Sequence, residues 1–222
     1  MANGRRQTWD EELTTLIQHG RDREAAELAA RRFAPSKSGA SMDPRTQLDQ
    51  ILPALEKLVA PLDKTQLDAP TTCSNFKVRD ILEHMIGGAT TFAASFRGDA
   101  PPAPVAIADP VEAFAPAMAN LRASLDSPGA LERSVTAPVG EVPGETFARF
   151  VAMDGLVHGW DIATATDQAY DPPADLVAAV DAFTRQAITD DMRDGGAFAA
   201  AVDPPAGASP LVQLVAFTGR RV

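Results

Sequence analysis

From Pro44 onward, apolar residues recur at three- and four-residue intervals. Leu48, Ile51, Leu52, Leu55, Leu58 and Val59 share one side of a helix that Pro53 interrupts and that ends around Pro61. Leu62 to Pro70 reads as a connector and Thr71 to Asn75 as a polar turn. The helical period returns from about Val78 to Phe96, with Ile81, Leu82, Met85, Phe92 and Phe96 on the core face. A third long helix is predicted from Glu145 to Ala165. It carries Phe147, Phe150, Val151, Leu156, Val157 and Ile162 and is apolar nearly all round, as a buried helix is. A fourth follows Pro172-Pro173, from Ala174 to about Arg193, and an apolar segment from Pro210 to Phe217 is expected to pack back on the others.

Between the second and third helices, residues 98–143 hold eight of the 18 prolines and one convincing helix, Val111 to Leu125. Val135 to Val142 reads as a short extended piece or a hairpin. Strands are otherwise nearly absent. The expected architecture is an all-α bundle of four main helices, with a long crossover between helices two and three.

The segment 1–41 differs in charge, with 7 Lys+Arg against 6 Asp+Glu, whereas 42–222 carries 13 against 24. Ala34 to Ser41 has linker composition, and two short helical patterns precede it, the first opening on Thr8 and Glu11 at capping-box spacing. Residues 1–41 are therefore expected to be a helical or flexible extension and linker, and 42–222 the domain. A net charge of -10 argues against nucleic-acid binding. With one cysteine, Cys73, no internal disulfide or cysteine-rich zinc site can form. The basic start lacks the apolar core of a secretory signal, and no apolar run reaches the ~20 residues of a membrane span, so a cytoplasmic protein is expected.

Candidate chemistry lies in the third long helix. Asp154 and His158 stand at i and i+4, on one face one turn apart, and could reach one ion together. Only two other histidines exist, and His84, in the second apolar helix, is the natural third ligand, because metal sites in bundles form between facing helices. His19 falls in the extension. The alternative stays open at this point: Asp154 and His158 as an ordinary helix pair and His84 as a hydrogen-bonded core histidine. Asp80 and Asp161, one turn from His84 and His158, could each accept an imidazole N–H, or be a first-turn acid and a surface charge. Gly87-Gly88 could open room beside His84. Cys73 is better read as inert than as reactive, and Trp160 as core or rim.

The stretches Thr72 to Gly88 and Asp154 to Ala163, with His84, Asp154 and His158 at their centres, resemble the actinobacterial metal-binding family related to the N-terminal domain of mycothiol-dependent maleylpyruvate isomerase, in the DinB/YfiT-like superfamily. The resemblance covers roughly residues 43–222. It implies a DinB-like four-helix bundle and a divalent metal on His84, Asp154 and His158, where Asp154 stands at a position often held by glutamate. Zinc is the first candidate, with Ni, Fe or Mn able to use the same ligands. Two imidazoles and one carboxylate leave a coordination position open, as in catalytic zinc sites. The implied function is S-transfer or isomerisation of a small electrophile with mycothiol as cosubstrate. The partners are then a small-molecule thiol and an electrophilic substrate, with no nucleic acid, no membrane, and a homodimer as an allowed assembly. A metal-dependent hydrolase and a non-catalytic metal-binding protein with a regulatory partner are the competing readings.

Overall fold

The computed structural model describes residues 42–73, 76–137, 140–194 and 198–222. The expected extension helices, the linker and His19 lie outside the described residues.

Helix α1, Pro44–Val59, starts where the sequence supplies both a cap and a preset backbone. The Asp43 carboxylate accepts from the Thr46 N–H at 2.9 Å, and Pro44 occupies the first turn, where no donor is needed. Pro53 lies inside α1, which continues to Val59. Helix α2 spans Val78–Arg97, and Asp109 caps α3, Pro110–Ser124, by accepting from the Val111 and Glu112 N–H groups. Strands β1, Ser134–Ala137, and β2, Gly140–Pro143, pair antiparallel as a hairpin. Val135 and Val142, opposite each other in register, are both buried in the core. Helix α4, Gly144–Ala165, is buried along nearly its whole length and packs on α1, α2 and α5. Helices α5, Ala174–Ala187, α6, Asp190–Asp194, and α7, Pro210–Phe217, complete the described chain.

The molecule is mostly helical, as expected, and the crossover carries the expected helix and, of the two extended readings, the hairpin. Helix α3 packs along α2 and against α1, burying Phe114, Met118 and Leu121. Arg122 to Asp49 at 2.9 Å and Arg45 to Asp126 at 2.6 Å join α1 and the end of α3; exposed pairs of this kind are screened by solvent and add little to stability. The predicted helix 174–193 is two helices. Ile188 is extended, and the Thr189 hydroxyl accepts from the Met192 N–H at 3.4 Å, starting α6 as a separate turn.

Two glycines bring α1 close to α4. A Cβ on Gly155 would lie 2.9 Å from Ile51, and one on Gly159 would lie 2.5 Å from the Tyr170 hydroxyl and 3.0 Å from Leu55. Spaced one turn apart, they leave a small-residue stripe against α1. The stripe 154, 158 and 161 of the same helix carries the chemistry. Among the described residues no helix is long and apolar enough to cross a membrane.

Candidate metal centre

Asp154, His158 and Asp161 follow one another along α4 at spacings of four and three, so they form one line of side chains over two turns. His84 projects from α2 toward the first two. Its Nε2 lies 3.4 Å from Asp154 Oδ1, and His158 Nε2 lies 3.4 Å from the same oxygen. One ligand atom from each of the three residues falls within 4.8 Å of the others. The imidazoles meet edge to face at 5.2 Å, and Phe76 packs near both, 5.9 Å from His84 and 6.5 Å from His158 between ring centres.

Exposure is graded across the group. Side-chain exposure falls from 43% at His84 through 35% at Asp154 to 7% at His158 and 0% at Asp161. The open side is a cleft of about 1000 Å³, whose walls include Cys73, Phe76, Met153 and Val157 near the three residues and Phe198 and Arg221 farther along the chain.

Behind His158 lies a hydrogen-bonded network centred on enclosed Asp161, whose outer members Thr72 and Arg220 also line the cleft. His158 Nδ1 and Asp161 Oδ2 are 2.9 Å apart. The Arg220 guanidinium donates to both oxygens of Asp161, from Nη2 at 3.0 Å and from Nε at 3.3 Å, and the Thr72 hydroxyl donates to Oδ1. Thr72 is placed by a tight turn before α2. There the Phe76 N–H donates to the Cys73 carbonyl at 2.8 Å, and the Thr71 N–H and hydroxyl both donate to the Phe76 carbonyl.

Burial of His158 and the partial burial of Asp154 would by themselves disfavour both charges, yet their mutual attraction prevails. Asp154 is held well below the usual carboxylate range by the His158 charge and by hydrogen bonds from both imidazoles. Burial pushes His158 down, but Asp154 and then Asp161 overcome it and raise the imidazole to about 9. Burial raises Asp161, and the bonds from His158 and Arg220 bring it below its ordinary value. Burial pushes the Cys73 thiol up; Arg220 opposes this, and the two aspartates add to it.

Two of the three donor spacings match those around a divalent ion, and the third is within 4.8 Å. Ligand bonds of about 2.1 Å in tetrahedral geometry put donor atoms roughly 3.4 Å apart, which is the spacing from Asp154 Oδ1 to each imidazole Nε2. With His158 Nδ1 facing Asp161, Nε2 is the nitrogen turned toward Asp154, and an ion would take its lone pair once the proton there is displaced.

The three candidate ligands are thus together, and of the two acids that could each accept an imidazole N–H, Asp161 meets His158 while Asp80 is the first-turn acid. Asp161 is fully buried against His158, whereas Asp80 accepts from the Lys77 N–H at 2.8 Å and caps α2. Gly87-Gly88 does not line the cleft: a Cβ on Gly87 would meet nothing within 4 Å, and one on Gly88 would meet Phe92 at 3.1 Å. Trp160 is half-buried outside the cleft. Sequence reasoning missed Thr72 and Arg220. The one signal for Arg220 is Thr218-Gly219 just before it, a helix-stop pattern that turns the chain back.

Fold and site together define a helical-bundle protein with a His/Asp/His candidate metal centre at the floor of a cleft. The family described as mycothiol maleylpyruvate isomerase N-terminal domain matches residues 48–163, a span holding all three candidate ligands, and the chain belongs to that family. Two uncharacterised proteins of Mycobacterium tuberculosis, from strains CDC 1551 / Oshkosh and ATCC 25618 / H37Rv, are each 34% identical over 186 residues, covering 82% of this chain and 100% of the relative. Among solved structures, the crystal structure of the mycothiol-dependent maleylpyruvate isomerase overlays with a TM-score of 0.47 at 14% identity, covering 64% of this chain and 68% of that one.

Proposed function

We propose that residues 42–222 form a domain that holds a divalent metal, zinc first, on His84, Asp154 and His158, and that the protein is a thiol-dependent S-transferase or isomerase acting on small electrophiles with mycothiol as cosubstrate. The observation that carries the reading is the convergence of three ligand atoms within 4.8 Å of one another at a cleft of about 1000 Å³. A purely structural ion would be closed in by protein ligands, whereas three ligands facing a cleft leave a position for a small molecule. The cleft is at the upper end of the 300–1,000 Å³ range usual for ligand pockets, so a thiol and a small electrophile can share it. Membership of a family described by mycothiol and maleylpyruvate isomerase supports the choice of thiol.

When bound, the ion supplies Lewis acidity that favours the thiolate form of a thiol at neutral pH. The chain's own residues do the rest. Asp154 supplies the negative charge that two neutral imidazoles lack. His158 is oriented from behind by Asp161. Phe76 packs against the imidazoles and keeps water from one side of them. Cys73 lines the cleft with a thiol held in its protonated form by burial, so it is a wall and not the nucleophile.

The test is metal analysis followed by thiol titration. Protein purified without an affinity tag should take up one equivalent of Zn²⁺ or Co²⁺, and His84→Ala and His158→Ala should each lose tight binding while keeping their helical circular dichroism. The Co²⁺ form should gain a sulfur-to-metal charge-transfer band with mycothiol and should conjugate a model electrophile faster than free mycothiol at the same pH. Ester or amide cleavage without thiol would replace this reading with a hydrolase. Bound metal with neither thiol band nor turnover would leave a metal-binding protein without catalysis.

A further inference from the structure

The most buried carboxylate of the site is also the most heavily hydrogen-bonded. Asp161 is fully buried; Oδ2 meets His158 Nδ1 and Arg220 Nη2, while Oδ1 accepts from Thr72 and from Arg220 Nε. An ionised carboxylate can only accept, so the proton in its contact with His158 resides on Nδ1. That leaves Nε2 as the nitrogen available to an ion. Among the described residues His84, on the exposed side, has no comparable partner.

Burying an unpaired carboxylate is costly, and Arg220 supplies the compensating charge in a two-pronged contact. It arrives there through the local geometry of the tail. Helix α7 ends with the Gly219 N–H bonded to the Ala216 carbonyl at 3.0 Å and the Arg220 N–H bonded to the Val215 carbonyl at 3.1 Å, the pairing of a Schellman stop. Gly219 has φ +93°, and a Cβ there would lie 2.7 Å from Ala199, so glycine is required for the turn that returns Arg220 to α4.

We propose that Asp161, clamped by Arg220 from the C-terminal tail and Thr72 from the turn before α2, is the positioning residue of the centre: it fixes His158 with Nε2 toward the cleft, making tail and turn determinants of metal affinity. This rests on the metal reading above for its effect on affinity, and on hydrogen-bond geometry alone for its effect on His158. A salt bridge that merely pins the tail to α4 could join any pair of residues. This one ends on the back nitrogen of the most buried ligand, where such contacts fix tautomer and ring orientation.

The test measures two quantities on the full chain: Zn²⁺ affinity by chelator competition, and the His158 Nδ1–H resonance of ¹⁵N-histidine-labelled, metal-free protein. Asp161→Asn should weaken binding roughly 10- to 100-fold and shift or lose the slowly exchanging Nδ1–H signal. Arg220→Met should act in the same direction, and Arg220→Lys should recover part of the loss. A role confined to stability would lower the melting temperature and leave both quantities unchanged in the folded fraction, and that result overturns the proposal. If these buried substitutions prevent folding, Thr72→Val removes a single hydrogen bond and reads the same quantities, and wild-type values for both would overturn it. A wild-type protein that takes up no metal would sink the functional reading; the resonance would still decide whether Asp161 orients His158.

Discussion

At the scale of single residues, the centre holds a proton where it would hold an ion. His158 is raised to about 9 chiefly by Asp154, against its burial, and Asp154 is correspondingly lowered. The ordinary histidine value is about 6.5 in the unfolded chain. Protonated His158 therefore stabilises the metal-free fold fully below about pH 6.5, and that contribution is lost as pH rises through about 9. A metal requires neutral imidazole and must displace the proton. Affinity should accordingly climb by about tenfold per pH unit between roughly pH 7 and 9 for each proton displaced, then flatten. Over the same interval the melting temperature of the metal-free protein should fall. Calorimetric titration in buffers of differing ionisation enthalpy counts the protons released; affinity that stays flat from pH 7 to 9 would contradict the picture.

At the scale of elements, the glycines sort into those that permit packing and those that do not. Gly159→Ala would push a methyl toward Leu55 and the Tyr170 hydroxyl, forcing α1 away from α4 at a cost of about 1–3 kcal/mol. Gly87→Ala, exposed within α2 with open space around it, should instead stabilise by about 0.5–1 kcal/mol by reducing backbone freedom. Denaturant unfolding of the two variants should move the midpoint in opposite directions; a shift in the same direction would refute the assignment. The same contrast marks what could be read from sequence. Helices α1, α2, α4 and α7 and the Asp154/His158 pair follow from apolar period and i, i+4 spacing, which are local, whereas His84, 70 positions from Asp154, joins them through the family resemblance. Helix α3 is legible from its apolar period, from 111 to 125, but its packing against α1 and α2 is not. The break at Ile188 depends on a capping choice by Thr189, and the Thr72–Asp161–Arg220 network joins residues 89 and 59 positions apart, beyond the reach of any local pattern.

At the scale of the whole molecule, the two ends of the described chain should matter unequally. The α1 cap is supplied by Asp43 and Thr46, and the Met42 carbonyl accepts from Gln47 at 2.9 Å and from Arg149 at 3.3 Å, so among the described residues the fold is anchored from residue 42 onward. All three candidate ligands lie beyond it. A chain beginning at Met42 should therefore retain the zinc affinity of the full protein and melt within a few degrees of it. A chain ending at Gly207 loses Leu211, Leu214 and Val215, all buried, at about 1.5–3 kcal/mol each, a sum that approaches the 5–15 kcal/mol stability of a typical domain. It also loses Arg220, leaving buried Asp161 without its cation. Metal affinity and thermal unfolding measured on both shortened chains should show the first indistinguishable from the full protein, and the second poorly folded and weak in metal binding. Loss of metal by the chain beginning at Met42 would mean that residues 1–41 complete the core. Full affinity in the chain ending at Gly207 would mean that the tail takes no part in the centre.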